Sequence, residues 1–338
     1  MPGHHATPLK FLMPGWFAMV MGLCGLALAW ARAVPLMGEM AGAAALIIGG
    51  FAALVFAALL LGSLVRLQRY PKALEEDLKH PVRHAFVATL PVSVILLGTV
   101  LFAVAGVSWP ARLLWALGSA AQFGVTLWVL ARWLKGNCEG GLVWAGITPV
   151  LLIPVVGNVV PALAGAPLGF GDWAAAQFGV GLFFWPVVMA LLAVRVGIQG
   201  LWADRLLPST FITIAPPAVI GVGIVQMGAP APLLWMCWGA ALFFLLWSTS
   251  IFKRMVAQPF AITFWGLSFP LASFAALTLR LAEGSSGAFG ALAMVTLALA
   301  SLVIAWLVLG TVKGLREGSL LAPEPVASIT PVAAAPGA

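Results

Sequence analysis

Uninterrupted apolar runs recur along the whole chain, and they constrain its fold more than any other feature of the sequence. The run from Leu113 to Ala131 is an example, and its apolar residues do not alternate with polar ones. A helix needs about 20 apolar residues to cross the hydrocarbon core of a membrane, whereas a strand of a membrane barrel is about 10 residues long and alternates. The runs therefore predict membrane-spanning helices, in which each backbone N–H and C=O is paired within its own segment.

The composition excludes a water-soluble fold. Hydrophobic residues make up 62% of the 338 residues and charged residues only 8%, with a mean hydropathy of +1.08. A soluble domain carries about 25% charged residues, because its surface must face water. The apolar runs also exclude a disordered chain, and the cysteines are too few and too scattered for a disulfide framework. The sequence therefore predicts an all-α polytopic membrane protein.

Charges, Pro-Gly clusters and polar residues divide the apolar runs into ten predicted spans, which pair into five helical hairpins. The predicted spans are Phe11–Ala31, Ala41–Val65, Ala85–Val107, Leu113–Ala131, Gly146–Gly165, Ala174–Val194, Phe211–Gly228, Leu233–Phe252, Ile262–Ala282 and Phe289–Val312. We thus expect an N-terminal segment (1–10), a ten-helix transmembrane domain (11–317) and a disordered tail (318–338) rich in Pro and Ala. A cleaved signal peptide is an alternative interpretation of the first run, but that run is longer than a signal-peptide core, and we favour a retained helix.

Basic residues are distributed unevenly between the two ends of the predicted spans. Of the 17 Lys and Arg residues, fourteen lie in the N-terminal segment, in the connections after even-numbered spans or after the last span. The other side has Arg32, Arg112 and Arg280. By the positive-inside rule, this predicts a multi-pass membrane protein with both termini in the cytoplasm. The net charge of +7 is then explained by orientation in an anionic leaflet, and no nucleic-acid partner is predicted.

Ionisable residues are missing from the middle of every predicted span. Proton relays, Schiff bases and haem or metal sites all need such residues, so we predict no cofactor, no metal and no enzymatic activity. His80 and His84 have the spacing of a metal-binding pair, which leaves a zinc site as an alternative. Pro81 between them interrupts a regular helical turn, and a structural role is favoured.

Proline distinguishes odd spans from even ones. Every odd span contains at least one, whereas Pro186 is the only interior proline of an even span. The prolines predicted to kink helices are Pro14, Pro91, Pro154, Pro217 and Pro270. A kink frees a backbone carbonyl, which is tolerated at membrane depth only where it faces protein or a water-filled cavity. This predicts that the odd helices surround a path, although proline is also commoner in membrane helices generally.

Neutral polar residues of the odd spans are the candidates to line such a path. They are Thr89, Ser93, Thr99, Thr148, Asn158, Thr213, Thr263, Ser268, Ser273 and Thr278, of which we choose Ser93, Asn158, Thr213 and Ser268 as pore polar candidates. Each could instead join neighbouring helices by hydrogen bonds. Walls without fixed charge suit a weakly hydrated anion and offer no group for proton coupling.

Five strings resemble one known family, in the same order along the chain. They are PGWFAMVMG (Pro14–Gly22), HPVRHAF (His80–Phe86), IPVVGN (Ile153–Asn158), IAPPAV (Ile214–Val219) and FWGLSFPLA (Phe264–Ala272). They are similar to those of the bacterial tellurite-resistance and C4-dicarboxylate transporter family, which includes the plant guard-cell slow anion channels. The resemblance extends from about Pro8 to Arg316.

The resemblance implies a homotrimer in which each protomer arranges five hairpins with quasi-fivefold symmetry around a central pore lined by the odd helices. It further implies that Phe269, beside Pro270, occupies the family's gate position, although core packing is the ordinary role of such a ring. We therefore predict a passive channel for small inorganic or organic anions in the lipid bilayer of the bacterial inner membrane. The alternatives are a secondary transporter or exporter of C4-dicarboxylate, sulfite or tellurite-type anions, and a non-transporting scaffold.

Overall fold

The computed structural model describes residues 8–136, 141–283 and 287–322, and all the regular structure in these ranges is helical. Within them, nine helices are long and apolar enough to cross a membrane, and a shorter apolar helix lies between the fourth and the fifth of these. In chain order, the ten helices are Pro14–Arg32 (α1), Glu39–Arg69 (α2), Arg83–Ala105 (α3), Trp109–Trp133 (α4), Pro149–Leu163 (α5), Gly171–Gln199 (α6), Asp204–Gln226 (α7), Ala231–Ser250 (α8), Ile262–Ala282 (α9) and Ala288–Arg316 (α10).

The predicted count of ten long spans needs a correction at the fifth. Helix α5 replaces the predicted span Gly146–Gly165 and is too short to meet the length expected of a spanning α-helix. It consists of a 3₁₀ turn (Pro149–Leu151), a short α-helix (Leu152–Val156) and a second 3₁₀ segment (Gly157–Leu163). Three prolines and a glycine in this stretch interrupt the regular i to i−4 hydrogen bonding, which hydropathy alone does not detect.

Odd and even helices differ in backbone regularity. The even helices α2, α4, α6, α8 and α10 are continuous α-helices. Each odd helix begins instead with a 3₁₀ segment before its α-helical part: Pro14–Phe17, Arg83–Ala88, Pro149–Leu151, Asp204–Ile214 and Ile262–Leu267.

Four of the five predicted kink prolines occupy the same position in their helices. Pro91, Pro154, Pro217 and Pro270 are each the third residue of the α-helical part that follows a 3₁₀ segment. The first residues of an α-helix have no acceptor for their N–H groups within the helix, so a proline costs no hydrogen bond there. Pro14 instead begins the 3₁₀ segment of α1. The other four prolines therefore mark the change from 3₁₀ to α geometry.

Burial separates the same two groups of helices. In the most apolar stretch of each long helix, 61–89% of the residues are buried in α1, α3, α7 and α9, against 17–33% in the even helices. The odd helices therefore form the interior of the protein, and we call them the inner group. The even helices, the outer group, carry most of the exposed large apolar side chains, such as Leu54, Phe183, Phe243 and Leu302.

Contacts between helices follow a simple order. Each odd helix packs against the even helix that follows it, which gives five hairpins. In addition, α1 contacts α3, α3 contacts α5, α5 contacts α7, α7 contacts α9, and α9 contacts α1. The inner group thus closes on itself, with the outer helices around it.

Both described chain ends lie on one face of the helices, which we call the terminal face; the opposite one is the far face. On the terminal face, a surface helix (Pro71–Lys79) joins α2 to α3, and Lys10 lines the same cavity as Leu320. Gly318, with φ +69°, turns the chain after α10 so that the N–H of Ser319 donates to the carbonyl of Gly314. The predicted tail (318–338) therefore begins packed on α10; residues 323–338 of it, and residues 1–7 of the N-terminal segment, lie outside the described residues.

Candidate functional site: a path through the inner group

Three cavities follow one another through the inner group of helices. The mouth, of about 460 Å³, lies at the terminal face. The inner cavity, of about 70 Å³, continues from it and shares Met13, Phe86, Ile262 and Thr263 with it. The far cavity, of about 510 Å³, extends to the last residues of α1 and α7 at the far face. Together they describe a path across the protein with one interruption.

The mouth is lined by charged side chains, with a positive excess. Its basic residues are Lys10, Arg66, Arg83 and Arg205, and its acidic residues are Glu76 and Asp77. A cavity wall with excess positive charge raises the local concentration of anions. The mouth is therefore suited to collecting anions from the solution on the terminal face.

Asp77 joins three elements beneath the mouth. Its carboxylate is buried and accepts hydrogen bonds from Arg66 Nη2 at 2.6 Å and from Arg83 Nη1 at 2.8 Å. Arg66 Nε also donates to the carbonyl of Lys10 at 3.0 Å. The end of α2, the surface helix and the start of α3 are thus held together by one doubly paired carboxylate, which is the arrangement that makes a buried charge tolerable.

His80 and His84 make hydrogen bonds that define their protonation. Trp133 Nε1 donates to His84 Nε2 at 3.1 Å, and because an indole N–H can only donate, the proton of His84 is on Nδ1, which donates to the carbonyl of His80. His80 Nδ1 accepts from the backbone N–H groups of Val82 and Arg83. Burial, and then the charge of Arg83, lower the pKa of His80 to about 4, so it is neutral at pH 7. These bonds favour a structural role for both rings over the alternative of a zinc pair.

The inner cavity is narrow and mostly apolar. Among the described residues that line it, the only side-chain hydroxyls are those of Ser209 and Thr263, and none is ionisable. Four of the residues that directly precede the five kink prolines line this cavity: Met13, Ile153, Pro216 and Phe269. The repeated position before the proline therefore faces the path, and only in α9 does it carry an aromatic ring.

Phe269 lies at the interruption of the path. Only two of the described residues, Phe269 on α9 and Val219 on α7, line both the inner and the far cavity, and both are buried. A Cβ at Gly25 of α1 would lie 3.0 Å from Phe269 Cδ2, so the ring packs directly on this glycine. The ring and the valine thus separate two cavities that otherwise form one path.

The far cavity differs from the inner one in its polar groups. All five inner helices, or the residues directly after them, contribute to its wall. Its polar side chains are Arg32, Thr99, Gln226 and Ser273. Of the candidates taken from the sequence, Thr99 and Ser273 lie here and Thr263 lines the inner cavity.

The four chosen polar candidates have other partners. Ser93 donates to the carbonyls of Thr89 and Phe17, and Thr213 and Ser268 donate to carbonyls three residues earlier. None of the four lines the described cavities, so their place in a pore lining stays a prediction. Among the kink prolines, Pro270 lines the inner cavity; Pro14, Pro91, Pro154 and Pro217 do not, and they act at the 3₁₀ segments instead.

Asn158 belongs to a buried network that fastens the broken helix α5 to its neighbours. Its Nδ2 donates to Thr126 Oγ1 of α4 at 2.7 Å, and its Oδ1 accepts from Gln177 Nε2 of α6 at 2.9 Å. Gln122 and Thr126 donate to the carbonyl of Pro154, in the middle of the short α-helical part. The network thus supplies hydrogen bonds to a backbone that has lost its regular ones, as membrane depth requires.

Sequence reasoning did not single out Asp77, Val219 or Arg32. Asp77 belongs to a polar connection in which neighbouring charges, such as those of Glu75 and Lys79, face solvent, and its sequence context does not distinguish it from them. Val219 lies within the string IAPPAV, yet nothing distinguishes it from other apolar residues. Arg32 is one of three basic residues on the far face, and its sequence context does not distinguish it from Arg112 and Arg280. A helical projection of α7 relative to Pro216 is the one signal that could have placed Val219 on the path side.

The comparisons with known proteins agree with this architecture. Residues 12–312 match the SLAC1 family, described as voltage-dependent anion channels. The chain belongs to the SLAC1 family. Its helical domain is therefore that of a family of anion channels and transporters, and the resemblance drawn from the five strings is confirmed.

Individual relatives of this SLAC1-family chain carry three kinds of name. An uncharacterized transporter of Methanocaldococcus jannaschii is 24% identical over 296 residues, which cover 80% of this chain and 84% of the relative. The tellurite resistance protein TehA homolog of Haemophilus influenzae is 27% identical, over 78% of this chain and 79% of the relative. The S-type anion channel SLAH2 of Arabidopsis thaliana is 22% identical, over 64% of this chain and 41% of the relative.

Proposed function

We propose that this protein is a passive anion channel whose path runs through the inner group of helices and is closed by Phe269. The observation that carries the proposal is the position of this ring between the inner and far cavities, which it and Val219 alone share among the described residues. An apolar ring at a constriction blocks ions both by its bulk and by excluding water. In this proposal the channel opens when the ring leaves the path.

The walls of the path set what passes through it. The inner cavity offers two hydroxyls and otherwise apolar groups, so an anion crossing it receives little compensation for the water it loses. Weakly hydrated anions lose water most easily, and we expect nitrate and bromide to pass more readily than chloride. The positive excess of the mouth favours anions over cations.

The test is a comparison of two phenylalanines on α9. We expect Phe269→Ala to raise anion conductance on the order of tenfold or more in a voltage-clamped bilayer, because about 1.4 kcal/mol of occlusion corresponds to a factor of ten. Phe269→Leu should give a smaller rise. Burial of a Phe side chain is worth about 1.5–3 kcal/mol, so both variants should remain folded.

Phe264→Ala is the matched control. Phe264 is also buried, but it lines none of the three cavities; its ring stacks on Phe260 of the mouth at 5.5 Å and contacts Trp306 at 5.7 Å. It should leave conductance unchanged at a similar cost in stability. If purified Phe269→Ala conducts no more than the unmodified protein, the gate assignment fails.

A secondary transporter is the second candidate, because two relatives are named for transport and for tellurite resistance. Such a carrier would move a C4-dicarboxylate, sulfite or a tellurite-type anion. The lack of an ionisable group in the inner cavity disfavours coupling to protons. Flux that saturates and follows a pH gradient would favour the carrier, and current that follows voltage and concentration alone would favour the channel. Absence of flux in every variant would favour a scaffold.

We further propose ten crossings with quasi-fivefold symmetry, a homotrimer, and an inner-membrane location with the terminal face in the cytoplasm. A common face for both described ends requires an even number of crossings, and α5 supplies the tenth. Because 3₁₀ segments rise about 2.0 Å per residue, α5 reaches about 28 Å, close to the thickness of the hydrocarbon core. The exposed apolar faces of the outer group suit lipid and neighbouring protomers. Labelling of Glu76→Cys by an impermeant reagent from outside intact cells would overturn the orientation.

A further inference from the structure

The far cavity contains a single charged side chain among the residues that line it, Arg32 at the end of α1. This cavity is otherwise walled by apolar residues and three neutral polar ones. Low-dielectric walls concentrate the field of a charge inside a cleft, so one guanidinium there has more effect on ions than it would on an open surface.

Arg32 has no hydrogen bond or ion pair within the part of the chain that the structure describes. Its charged neighbours are Arg280 and Glu283, which pair with each other. The guanidinium of Arg32 therefore keeps its donors available toward the cavity. The opposite situation holds at the mouth, where Asp77 occupies donors of Arg66 and Arg83.

The neutral groups of the far cavity divide into donors and acceptors. Thr99 donates its hydroxyl proton to the carbonyl of Ile95 at 2.9 Å, and Ser273 donates to that of Phe269 at 2.7 Å. Both protons are thus occupied within their own helices. The Gln226 side chain at the end of α7 makes no hydrogen bond to another described residue, so its amide N–H₂ remains available. The free donors of this cavity are those of Arg32 and Gln226.

We propose that the far cavity holds an anion-binding site formed by Arg32 and supported by Gln226. The guanidinium presents two parallel N–H donors, which match the two coplanar oxygens of a carboxylate or of nitrate. Such planar oxyanions bind there in preference to chloride. The site deepens the proposed channel function, on which its role in transport rests, because it concentrates anions beside Phe269; binding itself is independent of conduction.

The experiment measures how strongly the cavity attracts anionic reagents. Ser273→Cys is made in a background whose native cysteines are replaced, and the purified protein is treated with a small anionic methanethiosulfonate or with a neutral one of similar size. Arg32→Gln should lower the ratio of the anionic to the neutral modification rate about fivefold. Nitrate should slow the anionic reagent when Arg32 is present and should have no such effect in Arg32→Gln.

Two further variants make the test specific. Arg112→Gln removes the same charge from the same face, but Arg112 is exposed and does not line the cavity, so the ratio should not change. Arg32→Lys should keep the anionic preference and lose the advantage of nitrate over chloride as competitor. An unchanged ratio in Arg32→Gln overturns the site, whereas failure of Phe269→Ala to conduct overturns the channel and leaves the site standing.

Discussion

The inner and outer helices of this protein overlap in hydropathy, yet they are built differently. The outer helices are continuous and expose large apolar side chains. The inner helices begin with 3₁₀ segments, four of them change to α geometry at a proline, and the four long ones are mostly buried. Hydrocarbon offers no partner for a freed backbone group, so irregular backbone is confined to the ring of helices that other helices surround. Backbone regularity, rather than hydropathy, therefore distinguishes the inner helices from the outer helices that surround them.

Glycines show, at the level of single atoms, where two helices approach closely and where a helix face is open. A Cβ at Gly22 of α1 would lie 2.1 Å from Ser268 Oγ, whereas a Cβ at Gly239 of α8 would meet no atom within 4 Å. At Gly22, as at Gly49 and Gly181 of the outer group, the missing side chain allows two helices to approach closely, as small residues do in membrane proteins generally. At Gly239 no other helix comes that close among the described residues.

The largest effect on stability should come from removing the ion pairs through which Asp77 links the inner and outer groups. Asp77 is buried and pairs with Arg66 of an outer helix and Arg83 of an inner one. Asp77→Ala leaves two arginines without their partner, and we expect it to lower the free energy of unfolding by about 3–5 kcal/mol. Glu75→Ala removes the exposed pair with Lys79 on the same surface helix and should cause a much smaller loss, because water screens exposed ion pairs. Unfolding in detergent measures both, and equal losses would contradict the link.

A smaller effect on stability should follow from adding one methyl group at a closely packed glycine. Gly22→Ala forces α1 and α9 apart and should destabilise the protein by about 1–3 kcal/mol. Gly239→Ala, in an outer helix, should stabilise it by up to about 1 kcal/mol, since alanine is the better helix former. The same unfolding measurement serves for both variants. A loss at Gly239 as large as that at Gly22 would contradict the open surroundings of Gly239.

A still smaller effect, on conductance, should distinguish two buried valines, one on the path and one away from it. Val219→Ala widens the constriction beside Phe269 and should raise conductance about threefold, less than Phe269→Ala, because it removes only two methyl groups. Val188 of α6 is as well buried but does not line a cavity. Val188→Ala should therefore leave conductance unchanged while costing similar stability. A rise in both variants would point to loosened packing instead of a widened path.

Much of this contrast could be predicted from the sequence, and the reasons for the rest are physical. The recurrence of proline identified the inner helices, because each proline removes a backbone N–H donor whatever its neighbours are. The direction of a polar side chain depends on the rotation of its helix, which the neighbouring helices determine. Asn158 therefore lies in a predicted helix but turns toward α4 and α6. Likewise, the burial of the Asp77 carboxylate depends on two arginines from other elements, Arg66 and Arg83.

The central claim is that Phe269 is the barrier between two otherwise connected cavities, and side-specific labelling tests it most directly. In a background without native cysteines, Thr263→Cys should react with a small anionic methanethiosulfonate added only from the terminal face, and Ser273→Cys only from the far face. After Phe269→Ala, each cysteine should react from both faces. If Ser273→Cys in the Phe269→Ala background still resists reagent from the terminal face, a different barrier closes the path and the account is wrong.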